Sequence, residues 1–135
     1  MVNEYQWVSD IRLSISSYLK RKIPQEFPKA NVTNKSKDLS EPTFPTVYFH
    51  ALPWTETGQD LEAQTINGIN MSYQIDVITN TSQEDADKIM TFVMGLFKRL
   101  RFELYSFPNF ESNGNGDIYR TTARVRRVFG ADDTL

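Results

Sequence analysis

Apolar side chains between residues 4 and 23 recur at Val8, Ile11, Ile15, Tyr18, Leu19 and Ile23, the stripe of an amphipathic helix. Asp10 precedes Lys20, Arg21 and Lys22 in the order a helix dipole favours, and Pro24 is expected to stop the helix. A second stripe, Ala86, Ile89, Met90, Val93, Met94, Phe97 and Leu100, predicts a helix over 82–101. Thr81 with Glu84, or Ser82 with Asp85, supplies its capping signal. Residues 69–79 alternate instead: Ile69, Met71, Tyr73, Ile75 and Val77 point one way, and Asn70, Ser72, Gln74 and Asp76 the other. A final strand over 118–129 puts Tyr119, Thr121, Ala123 and Val125 on one face and Arg120, Thr122, Arg124 and Arg126 on the other.

Shorter runs complete the pattern. Residues 30–34 are a candidate short strand. Phe44 to Leu52 reads as an aromatic-rich strand bounded by Pro45 and Pro53, with Pro45 at its first residue or on an edge. Phe102 to Phe107 is a strand ended by Pro108. Residues 35–43 read as a loop. The polar stretch 53–68 is either an extended hairpin with Asn67-Gly68 near its turn or a flexible loop. Residues 109–117, with Asn113-Gly114-Asn115-Gly116, read as a turn or mobile loop. The expected fold is α+β: a mixed, mainly antiparallel sheet of about four to five strands with two helices packed on one face. A length of 135 residues fits one domain spanning 1–135.

Composition narrows the chemistry. The absence of cysteine excludes a disulfide framework, a zinc ribbon and a cysteine nucleophile. A single histidine excludes a multi-histidine metal site. No apolar run approaches the ~18–20 residues of a membrane span, and the N-terminus lacks the pattern of a secretory signal, so a cytoplasmic origin is expected. The net charge of −2 is too small to argue for nucleic-acid binding.

That total conceals a division. Residues 1–37 hold seven basic and three acidic side chains (+4), residues 38–87 nine acidic and no basic (−9), and residues 88–127 eight basic and three acidic (+5). Asp132 and Asp133 complete the count of 15 and 17. Either the fold mixes these segments into a neutral surface, or it keeps acidic and basic patches apart, as head-to-tail self-association would use.

Candidate reactive groups are few. His50 reads as a structural or surface residue more readily than a catalytic one, which would need a partner close in space. Glu84, Asp85 and Asp87 fit a helix start better than a metal site. Arg120, Arg124 and Arg126 share one strand face beside Arg127. They form a solvated face, contact phosphate, or pair with an acidic neighbour, and the acidic middle segment favours the neighbour. These four arginines are the expected subunit interface. No catalytic residue, metal or cofactor is expected.

One resemblance covers nearly the whole chain. Phe44-Pro45-Thr46-Val47-Tyr48-Phe49 follows an N-terminal helix; Tyr73-Gln74-Ile75-Asp76-Val77-Ile78-Thr79-Asn80 runs straight into Ser82-Gln83-Glu84-Asp85-Ala86-Asp87-Lys88-Ile89-Met90; Tyr119-Arg120-Thr121-Thr122-Ala123-Arg124-Val125-Arg126-Arg127 closes the pattern. In order, length and spacing this resembles the tail terminator (tail completion, or head–tail joining) proteins of long-tailed bacteriophages. The resemblance implies a structural virion protein at the tail–neck junction, assembled in the bacterial cytoplasm. It would form a ring, typically hexameric, on the head-proximal end of the tail tube, stop tube polymerisation and dock the head connector. DNA would pass through the lumen without specific binding. Glu56, Gly58, Asp60, Glu62, Asn113 and Gly114 are then the expected lumen residues or loops contacting tube and connector. Alternatives are another neck or head-completion protein, or a small ligand- or nucleic-acid-binding α+β domain.

Overall fold

The computed structural model describes residues 4–35, 44–57, 68–108, 118–130, 133 and 135. Its elements are α1 (Gln6–Glu26), β1 (Asn31–Thr33), β2 (Thr46–Ala51), β3 (Thr55–Thr57), β4 (Gly68–Thr79), α2 (Gln83–Arg99), β5 (Glu103–Ser106) and β6 (Tyr119–Phe129). The fold is α+β, with two helices and a mixed, mostly antiparallel sheet of six strands in the order β1-β2-β4-β6-β5. Only β1 and β2 pair in parallel. β3 is the strand beyond the expected four to five.

β4 is the axis of the sheet. On one side it pairs with β6 over eleven positions, from Ile69↔Phe129 to Thr79↔Tyr119. On the other it pairs with β2 over 73–78 and with β3 over 68–70. Strict alternation of apolar residues sets this register, because a slip of one residue would turn the whole apolar set to the wrong face. Ile69, Met71, Tyr73, Ile75 and Val77 are all buried, as their spacing predicts. They join Ala123, Val125 and Phe129 of β6, Val47 and Phe49 of β2, and the buried stripes of both helices in one hydrophobic core. Tyr73 is the hub of its aromatic part, with ring centroids 5.7–6.4 Å from Phe49, Trp54, Phe97 and Phe102.

α2 forms as its sequence directs. Ser82 is the N-cap and accepts a hydrogen bond from the Asp85 backbone N–H at 3.0 Å, so the serine pair is the one used. Glu84 and Asp85 lie in its first turn, and Lys98 and Arg99 in its last. The helix stops in a Schellman arrangement. The N–H of Phe102 donates to the Phe97 carbonyl and that of Arg101 to the Lys98 carbonyl, while the Phe97 and Phe102 rings meet edge-on at 5.1 Å. Arg101 occupies the left-handed position, φ 64°, that glycine usually fills.

Three expectations need correction. Pro24 does not stop α1 but lies inside its last turn. A proline there removes one N–H, and the carbonyl it leaves unbonded belongs to exposed Lys20, where water can replace the bond. The helix therefore closes three residues later, with the Phe27 N–H on the Ile23 carbonyl. For the same reason Lys20, Arg21 and Lys22 fall short of its last turn, which holds no basic residue. Pro45 neither begins β2 nor marks an edge. It precedes the strand through a cis Phe44–Pro45 peptide, accepts the Asn31 N–H, and leads into a strand paired on both sides.

The Arg101 turn yields a stability prediction. Arg101→Gly removes the cost of a side chain at positive φ and should stabilise the chain by about 1 kcal/mol. Urea unfolding should show a raised midpoint at unchanged slope.

Candidate functional site

The face of the sheet opposite the core carries the polar cluster. On it, Tyr48, Asp76 and Thr122 lie side by side across β2, β4 and β6, and so do His50, Gln74 and Arg124. Alternation places Asp76 on this outer face, where solvent is expected. The structure instead buries it to 1% exposure. Its burial comes from its neighbours. Arg120, one diagonal step along β6, donates Nε and Nη2 to Asp76 Oδ1 at 3.3 and 3.0 Å. The Thr122 hydroxyl donates to the same oxygen. Gln74 Nε2 donates to Oδ2 at 3.2 Å, and Arg124 Nε in turn donates to Gln74 Oε1 at 3.1 Å. Four donors on one carboxylate offset the cost of taking it out of water.

His50 borders this network. Its ring stacks on Tyr48 at 4.7 Å and 14°, and Nε2 lies 3.8 Å from Asp76 Oδ2, beyond hydrogen-bond length. It is thus half-packed scaffold at the rim of the cluster, as its sequence context suggests.

The four arginines expected at a subunit interface divide. Arg120, Arg124 and Arg126 share the outer face, and Arg120 is held by Asp76 within the chain. Arg126 lies 3.7 Å from Glu103 and 5.1 Å above the Tyr105 ring, both on the edge strand β5. A register shift between Leu104 and Ser106 sets Tyr105 outside the regular pairing. Arg127 faces the helices instead. Its guanidinium covers the Phe129 ring at 3.9 Å and donates to the Leu100 carbonyl at the end of α2, and burial lowers its pKa. The charge segments therefore mix in part, since Asp76 of the acidic stretch is neutralised by Arg120 of the basic one. They also stay apart in part, since α2 begins on Glu84 and Asp85 and ends on Lys98 and Arg99.

Of the expected loop residues, Glu56 is in a strand. It pairs with Ile69 as part of β3, which makes residues 55–57 and 68–70 the paired stem of a hairpin, and it accepts a hydrogen bond from the Tyr5 hydroxyl. That bond raises the Tyr5 pKa. Gly58, Asp60, Glu62, Asn113 and Gly114 lie outside the described residues.

A second polar feature lies on the core side. Arg12 and Ser16 of α1, Asn34, Phe49 and Tyr73 line a cavity of about 200 Å³. Tyr73 is 3% exposed, and its hydroxyl is buried with no hydrogen-bond partner. Burial pushes its pKa well above the ordinary phenol range, against the opposing charge of Arg12. Sequence alternation identifies Tyr73 as core but is silent on where its hydroxyl ends.

No protein-family model matches the chain, and no curated protein matches it. No group of three or more His, Asp or Glu side chains among the described residues is placed to hold a metal ion.

Two outcomes test this account. Arg120→Ala strips a buried carboxylate of its charged donor and should cost about 1.5–3 kcal/mol in urea unfolding, whereas Arg124→Ala should stay within about 0.5 kcal/mol. The second concerns pH. Below about pH 10 both folded and unfolded chains keep the Tyr73 proton, and above it only the unfolded chain releases it readily. Stability should therefore fall as pH rises past about 10, and the gap between Tyr73→Phe and the wild type should widen between about pH 8 and pH 11.

Proposed function

We propose that this chain is a structural virion protein that caps the head-proximal end of a phage tail tube as a ring, stops tube growth and offers the surface on which the head connector docks. The reading rests on the resemblance of the chain in element order and spacing. The observation that carries it furthest is the β5 edge of the sheet. Tyr105, Phe107, Ile118 and Val128 are exposed large apolar residues, and Arg126 covers the ring of the first. Tyr, Phe and Arg are the residues that protein interfaces concentrate. The opposite edge, β1, is three residues long and of different chemistry. Two unlike edges suit a heterologous contact, in which one edge of a subunit meets another surface of the next and the rotation closes a ring.

Under this reading Arg124 and Arg126 contact the neighbouring subunit, while Arg120 and Arg127 keep the faces that present them in shape. Glu56, with Asp60 and Glu62, belongs to the lumen or the tube-facing rim, where acidic groups let DNA slide because phosphates are repelled. The protein would work without a cofactor, and its partners would be its own copies, the tube protein and the connector.

The test mixes the full chain with polymerising tail tube protein encoded beside it and follows tube length and ends by electron microscopy. The expected result is tubes of arrested length with a ring on one end. Phe107→Asp should abolish the ring and leave the melting temperature within a few degrees, because Phe107 is exposed in the single chain. Unaltered tube growth would overturn the proposal, and binding to capsid portals in preference to tube ends would assign the chain to another neck component.

A further inference from the structure

The cavity between α1 and the β2–β4 pair is the one place where a fully buried polar group of the core is left unsatisfied beside a cation. The Tyr73 hydroxyl has no hydrogen-bond partner, although a buried polar atom without one is costly. Arg12 lies near enough for its charge to act on that hydroxyl, and it forms no ion pair among the described residues. Ser16 and Asn34 add a hydroxyl and an amide to the same wall, and Phe49 adds an apolar one. Arginine, tyrosine and serine all present donors, so the cavity is complementary to an acceptor of negative charge. A planar two-oxygen group matches the guanidinium fork best. At about 200 Å³ the space exceeds what a single water fills.

We propose that this cavity binds a carboxylate, with the Arg12 guanidinium and the Tyr73 hydroxyl as its donors and the Phe49 side accepting the carbon attached to it. The group arrives either on a small organic acid or on an Asp or Glu side chain of another chain. The site does not depend on the ring reading and stands or falls separately.

The experiment uses the ¹⁵N-labelled full chain at constant pH and ionic strength. The reporter is the indole N–H of Trp54, whose ring meets Tyr73 edge-on at 5.7 Å and whose N–H is fixed on the Ser72 carbonyl. In the first arm, acetate, butyrate and benzoate are titrated to about 50 mM. A small-acid site gives saturable shifts of the Trp54 and Arg12 signals in the millimolar range, weakened about tenfold in Arg12→Gln and in Tyr73→Phe. In the second arm the protein is diluted without acid. A side chain from another copy gives concentration-dependent shifts of the same signals, erased by Arg12→Gln and competed by acetate.

The two substitutions are chosen to keep the fold. Arg12 is exposed on its helix, and phenylalanine retains the Tyr73 ring. Stability supplies an independent readout. With no bound acid, Tyr73→Phe removes an unsatisfied buried hydroxyl and should not lower the urea midpoint. A lowered midpoint would mean that the hydroxyl serves the fold through ordered water, and would overturn the proposal. So would shifts in neither arm, or shifts that both substitutions leave unchanged.

Discussion

The pairing of β4 with β6 is the constraint on which the rest of the structure depends. Eleven consecutive residue pairs hold these strands together, and β4 carries β2 and β3 along its other side. Two features on opposite faces fix the same register. On the inner face, the apolar alternation of Ile69 to Val77 meets that of Thr121 to Val125. On the outer face, Asp76 sits opposite Thr122 and one step from Arg120, and both hold its carboxylate. A slip by one residue would send the carboxylate into the hydrophobic core and the apolar set to water. The polar cluster thus discriminates against wrong pairings, whatever its net contribution to stability.

That role changes what the charge division can mean. Arg120 is the natural first choice for a contact with an acidic neighbour when only the row of arginines is known. Inside the fold it already has an acid, and a buried one, so releasing it would expose Asp76 to loss of its charged donor. Arg126 differs: its pair with Glu103 joins two well-exposed side chains, and such pairs contribute little. Charge that is weakly held at a sheet edge is available to a partner, and charge locked at the sheet centre is not. Any interface built on this face is therefore expected toward β5 rather than over the middle of the sheet.

Local periodicity made most of this fold legible. The two apolar helical stripes, the alternation of 69–79 and of 118–129, and the Ser82 cap all place residues where the structure has them. What escaped has a common cause: it depends on neighbours distant in the chain. Pro24 is a helix stop by local rules, but a helix can tolerate it near its end when the orphaned carbonyl faces water. β3 has too little pattern over three residues to be read as a strand before its pairing with β4 is known. Asp76 looks solvent-exposed because alternation gives the face of a side chain and not what leans over it. Arg101 breaks the preference for glycine at the end of α2, and the close of that helix is held instead by the packing of Phe97 on Phe102.

Two of these departures belong to one cluster. The rings that clamp the Arg101 turn, Phe97 and Phe102, both pack against Tyr73, whose hydroxyl is the unsatisfied group of the core. A phenylalanine at 73 would fill the same aromatic niche, and a glycine at 101 would make the same turn, each with a local cost removed. Sequences agree with their folds at nearly every level, and the positions where they do not are the ones that selection for something besides stability explains. The hydroxyl at 73 and the guanidinium at 101 add nothing to the packing around them. What each offers is a polar group carried on a rigid aromatic base, and a rigid base is what makes a single donor effective in recognition.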